Sequence, residues 1–169
     1  RRGRMVWWIL FVVLWLIYVV AVRSKLSGLS HRLNDVTTEI NAALNDRRSL
    51  VSDLPGIVRA PTDALKDIFR QRDALSSDAP TEQKVASCLV MDQALGKLKE
   101  EGTIIATNPA APTLLDTLAL NRERLSRAVD RYNDLANDLN ETIHSFPSRW
   151  ASRGYRRVEL ISSAKSAAN

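Results

Sequence analysis

The chain has 169 residues, 45% hydrophobic and 25% charged, which is room for one ordinary domain plus an anchor. Six Gly and six Pro exclude collagen-like and low-complexity readings, and the single Cys88 excludes an internal disulfide or a cysteine metal cluster. The formal net charge is +5, yet without Arg1, Arg2 and Arg4 the remainder carries only +2. That excess lies beside an apolar segment rather than along a stripe, so no nucleic-acid partner is expected.

Met5 to Val22 passes without a charge, Pro or Gly. As a helix the run spans about 27 Å, close to the hydrocarbon thickness of a bilayer. Trp7, Trp8, Phe11, Trp15 and Tyr18 supply its aromatic rings, with Trp7 and Trp8 near one end and Tyr18 near the other, as at two interfaces. Arg1, Arg2 and Arg4 flank it on one side, Arg23 and Lys25 on the other. A cleaved signal peptide usually has a shorter apolar stretch, and Ala21-Val22-Arg23-Ser24 is a poor cleavage site. The run therefore predicts an uncleaved transmembrane anchor, with the lipid bilayer as its first partner. The tight Arg cluster at the start tips the expected orientation to N-terminus inside and body outside.

Leu26, Leu29, Leu33, Val36, Ile40 and Ala43 follow at alternating steps of three and four, a heptad seam. No Pro interrupts before Leu54. One long helix is predicted to leave the bilayer and continue into a soluble bundle, with a first break at Pro55-Gly56. A second helix is expected from Pro61 to Leu75. A third is expected from Thr81 to Glu101, burying Val85, Cys88, Leu89, Ala94, Leu95 and Leu98 and stopped by Gly102. Cys88 reads as an inert core residue. Residues 103–112 read as an apolar connector. The fourth helix has the most regular seam: Leu115, Leu118, Arg122, Leu125, Val129, Tyr132, Ala136, Leu139, Ile143 and Phe146. It ends before Pro147, since the residue preceding a proline is pushed out of helical geometry. A short fifth helix is expected around Trp150, Tyr155, Val158, Leu160 and Ile161. The fold class is thus all-α: an N-terminal transmembrane helix continuous with an antiparallel four-helix-type bundle. The domain division is 1–24 flank and anchor, 25–161 bundle, 162–169 frayed tail.

Tyr132-Asn133, then Asn140, Ile143, Ser145, Phe146 and Pro147, resemble the C-terminal signature of the LemA family. That signature has a second Tyr-Asn pair, where this chain reads Leu139-Asn140. Arg47-Arg48, followed by Leu50 and Pro55, resembles the family's Arg-Arg and Leu-x-Pro region. The resemblance implies a bacterial single-pass membrane protein with a long helical bundle, without an established catalytic activity and without a set of site residues to carry over. The bacterial cytoplasmic (inner) membrane is the expected location.

No phosphate loop, His-Glu-x-x-His, Cys-x-x-Cys or nucleophile elbow occurs. No enzymatic activity and no cofactor or metal are therefore expected. Two surfaces remain as candidates. Ser126, Asp130, Asn133, Asn137, Asn140 and His144 form a polar stripe beside the fourth seam. It reads as a hydrogen-bonding surface for a partner or small ligand, or more simply as the wet flank of an amphipathic helix. Arg149, Trp150, Arg153 and Tyr155, with Arg156 and Arg157, make an aromatic-basic end suited to a protein partner or lipid headgroups, or to capping the bundle. Arg122 interrupts its seam and could pair with Asp116, Glu123 or an acid on another helix, or snorkel outward. The expected function is a non-catalytic accessory or scaffold subunit of a larger membrane assembly, such as an energy-conversion or protease complex. A ligand-binding or sensing module is the alternative, and self-association through the seams is open.

Overall fold

The computed structural model describes residues 2–76, 78–105, 107–145, 150 and 152–161. It is all-α, with no strand among the described residues. Helix α1 covers Arg2–Ser52. A 3-10 turn over Leu54–Ile57 follows, then α2 (Asp63–Leu75), α3 (Thr81–Glu100) and α4 (Ala110–His144).

Each boundary has a local cause. Pro55 lies in the first turn of the 3-10 segment that closes α1, where a missing N–H costs nothing. Thr62 caps α2, its Oγ1 accepting from Leu65 N at 3.2 Å. Gly102 adopts a φ of +63° directly after α3, the left-handed conformation that ends a helix. The connector between α3 and α4 is shorter than its Pro content suggests. Asn108 Oδ1 accepts from Ala110 N at 2.9 Å, so the helix starts at Ala110 and takes Pro112 into its first turn.

The expected fifth helix does not extend over Tyr155 to Ile161: Trp150 is helical, but residues 152–154 turn and 155–161 carry no helix. Gly154 sits at a φ of +107°, open to glycine and strained for other residues. The side chain of Asn140 then binds the backbone of Val158. Phe146, Pro147, Ser148, Arg149 and the 162–169 tail lie outside the described residues.

The chain divides into two compact units, 1–35 with 132–160 and 36–131 with 161–169. In the first unit, Val22, Leu26, Leu29 and Leu33 of α1 form a buried cluster with Ala136 and Leu139 of α4. Val19, Tyr132, Leu135, Ile143, Tyr155 and Val158 pack around it half-buried. Before Val19 the apolar helix is bare: Trp7 is 75% exposed, Phe11 62%, Trp15 46%. Among the described residues it is the one helix long and apolar enough to cross a membrane, with a mean hydropathy of 2.7 over its best window. Val22, at the foot of the run, is part of the helix–helix cluster.

In the second unit, α1 and α4 run antiparallel: Arg131 pairs with Glu39 at 2.6 Å and Arg124 with Asp46 at 3.4 Å. Helices α2 and α3 pack on each other. The connectors between helices are also tied, Arg59 N donating to Thr103 O at 2.9 Å and Ile105 N to Ile57 O at 2.8 Å. Buried here are Val36, Ile40, Ala43, Leu44, Val51, Ile68, Met91, Leu98, Leu118, Leu125, Ala128 and Val129.

Candidate functional site

The seam of α1 continues past Ala43 by one more step of four, and the residue it reaches is Arg47. Its side chain is 2% exposed and ion-paired with Asp92 of α3. Nη1 of Arg47 also donates to Asn121 Oδ1 of α4 at 3.4 Å, and Asn121 Nδ2 donates to Ala43 O at 2.9 Å. Arg122 reaches the other Asp92 oxygen with Nε at 3.4 Å. Three helices are thus held by one guanidinium, one carboxylate and one amide, with a second guanidinium at the rim. Burial lowers the Arg47 pKa from its ordinary value; Cys88 opposes that shift and Arg122 adds to it. An arginine stays charged regardless, which makes it suited to a buried pair.

Two cations share one acid here, and Nε of Arg47 has no hydrogen-bond partner. Beside the network, α3 and α4 leave a small cavity of about 100 Å³ lined by Val85, Cys88, Leu89, Asp92, Arg122, Leu125, Ser126 and Val129. Cys88 is buried and its thiol pKa is pushed up to about 11, chiefly by burial. That makes the thiol a poor nucleophile at neutral pH, in keeping with its reading as a core residue. No group of three or more His, Cys, Asp or Glu among the described residues could hold a metal ion.

The polar stripe divides. Ser126, Asp130, Asn137 and His144 are exposed and Asn133 is half-buried, so most of it faces outward from α4. Asn140 differs: it is buried, donates from Nδ2 to Val158 O at 2.8 Å and accepts at Oδ1 from Val158 N at 2.9 Å. The side-chain amide takes both backbone groups of one residue, as a neighbouring strand would. Ser152 Oγ donates to Ile143 O at 3.4 Å and fixes the preceding turn. An open cleft of about 660 Å³ lies between this segment and α4, lined by Asn137, Asn140, Glu141, His144, Arg157, Val158, Glu159 and Leu160. Tyr132, half-buried nearby, has its pKa raised by burial and by the Glu159 charge.

The aromatic-basic end is also split. Trp150 is 73% exposed and Arg153 is exposed, while Tyr155 packs half-buried on the apolar cluster. Arg149 falls outside the described residues. Of the resemblance motif, Asn140 is the clasp, Ile143 and Tyr132 pack on the cluster, and Ser145 Oγ donates to Glu141 O at 2.7 Å.

Sequence reasoning missed Arg47 and Asn121 as buried residues. The signal was present: Arg47 extends the α1 seam, and Asn121 lies three residues after Leu118. Reading Arg122 as the seam residue hid its neighbour; Arg122 is 62% exposed and pairs with Asp92 on another helix. No family model matches the chain, and no curated protein or solved structure matches it.

Proposed function

We propose that the protein is a non-catalytic, membrane-anchored accessory or scaffold subunit, LemA-like, of the bacterial cytoplasmic membrane. It docks to a larger membrane protein assembly, for which an energy-conversion or protease complex is the suggested class. One observation carries the reading: α1 is bare and apolar from Met5 to Tyr18, then continues without a break into a stretch whose seam is buried against other helices. An exposed apolar surface of that size calls for a nonaqueous neighbour. The absence of catalytic motifs in the sequence and the raised Cys88 pKa support a structural role. Resistance of the full chain to carbonate extraction tests the anchor. Native electrophoresis after mild detergent tests the assembly: co-migration with other membrane proteins is expected, and a lone monomeric band would count against it.

The cavity beside Asp92 supports a second reading, a small polar ligand held between α3 and α4. Ser126 of the polar stripe lines it together with Asp92 and Arg122. Its size admits a few waters or a very small molecule. A thermal-shift screen of small anions and alcohols tests it, and no stabilising compound is the outcome against it.

A further inference from the structure

Helix α1 leaves its apolar run at Val22 with Arg23, Lys25 and Arg32 exposed on the following turns. No acid occurs on α1 between Val22 and Leu33. The segment after α4 packs on the cluster that begins there: Tyr155 and Val158 lie against the group of Val22, Leu26, Leu29 and Leu33 with Ala136 and Leu139, as does Val19. Packing those two side chains inward leaves Arg153, Arg156 and Arg157 exposed. Trp150 is exposed just before the turn. Bases from two distant parts of the sequence, Arg23 and Lys25 on α1 and Arg153, Arg156 and Arg157 on the returning segment, therefore flank one apolar cluster, which begins at Val22 where the bare run ends. The acids of the same unit are Asp35 on α1, Asp134, Asp138 and Glu141 on α4, and Glu159 on the returning segment.

We propose that Trp150, residues 152–157 and the first turns after Val22 form a collar that binds anionic lipid headgroups, with the Trp150 indole at the headgroup level. The proposal rests on the anchor reading above, because that reading sets the bilayer surface beside Val22. Arginine guanidinium groups match lipid phosphates, and an indole prefers the interface. The Asn140 clasp and the Ser152 bond hold the segment in place before any lipid arrives, so little ordering entropy opposes the contact.

The test uses the full chain with Trp7, Trp8 and Trp15 each changed to Phe, which leaves Trp150 as the reporter. It is placed in nanodiscs of phosphatidylcholine, alone or mixed with phosphatidylglycerol brominated near the headgroup. Quenching and a blue shift of Trp150 are expected with phosphatidylglycerol and little of either without it. The combined Arg153→Gln, Arg156→Gln and Arg157→Gln variant should need roughly tenfold more phosphatidylglycerol for the same quenching. Lys97→Gln with Lys99→Gln, on α3, should change nothing. A carbonate-resistant chain whose Trp150 stays in water in every disc overturns the collar alone. Shielding of Trp150 only on addition of a membrane protein fraction overturns it in favour of a protein partner. Release of the chain by carbonate overturns the anchor reading and the collar with it.

Discussion

The two compact units solve the same problem, a polar group inside an apolar interior, by different means. In the unit of residues 36–131, a charged guanidinium is buried and shared between Asp92 and Asn121. In the unit of 1–35 and 132–160, the interior is aliphatic and aromatic, and a neutral amide binds backbone. A buried ion pair adds little net stability over an apolar replacement, but breaking it is costly. The amide has a smaller role, supplying two backbone hydrogen bonds to a segment that has no helix or sheet to supply them. The charge dictates which helices meet, and the amide dictates where one irregular segment lies.

Removing one partner of the charged network is the strongest way to break this contrast. Arg47→Ala should lower stability by about 3–5 kcal/mol, since Asp92 then keeps only the exposed Arg122 as a partner and Asn121 Oδ1 loses its donor. Urea titration in mild detergent, followed by circular dichroism, measures it. An effect below about 1 kcal/mol would mean that water already reaches the pair.

The aliphatic unit offers the counterpart. Leu26 is fully buried, and Leu26→Ala should cost about 2–5 kcal/mol. Leu14→Ala, 65% exposed on the same helix, should leave the same urea midpoint nearly unchanged. Equal losses at the two positions would erase the distinction between the bare and packed stretches of α1.

Raising the pH separates the units by titration. The Cys88 thiol ionises near 9.0 when unfolded and near 11 when folded. The folded state therefore holds the extra proton between those values. Its contribution is complete below pH 9 and is lost as pH rises toward 11, at most about 2–3 kcal/mol. Cys88→Ala should flatten that part of the stability profile, measured by thermal melts across the range. Tyr132, raised in the other unit by burial and by the Glu159 charge, adds a loss of the same sign as pH rises above its ordinary value of 10.0, and Tyr132→Phe should remove it.

Smaller effects test the clasp and the surface. Asn140→Ala should cost about 1–3 kcal/mol by leaving the Val158 amide unpaired. Hydrogen exchange should show faster exchange at Val158 and leave the α2 and α3 amides unchanged. Glu39→Gln, which breaks the pair with the half-exposed Arg131, should cost less than about 1 kcal/mol in the same urea assay.

Much of this fold is written in periodicity. The seam from Leu26 to Ala43 and that from Leu118 to Leu139 name buried positions because a helix repeats its face every three or four residues. Breaks at Pro55 and Gly102 were legible from backbone chemistry. The failures share a cause. A seam drawn through apolar residues stops where a polar residue occupies an inward position, so Arg47, Asn121 and Asn140 dropped out. The reverse error produced the fifth helix: Tyr155, Val158 and Ile161 are spaced like a helix face, yet Gly154 and the Asn140 amide place the chain in another conformation. Nothing local in 150–161 announces a partner on α4. Likewise the cavity between Val85 and Val129 depends on how two helices meet, which no single periodicity encodes.

The shared guanidinium has a consequence for how such a sequence could drift. Arg47 of α1 bonds both Asp92 of α3 and Asn121 of α4, so a change at Arg47 takes a partner from each of them and a change at either leaves Arg47 short of one. Among descendants of this chain, the three positions should be exchanged as a set, most readily for a trio of aliphatic side chains of similar volume. The exposed Arg122 touches the set only through Asp92 and should follow it more loosely.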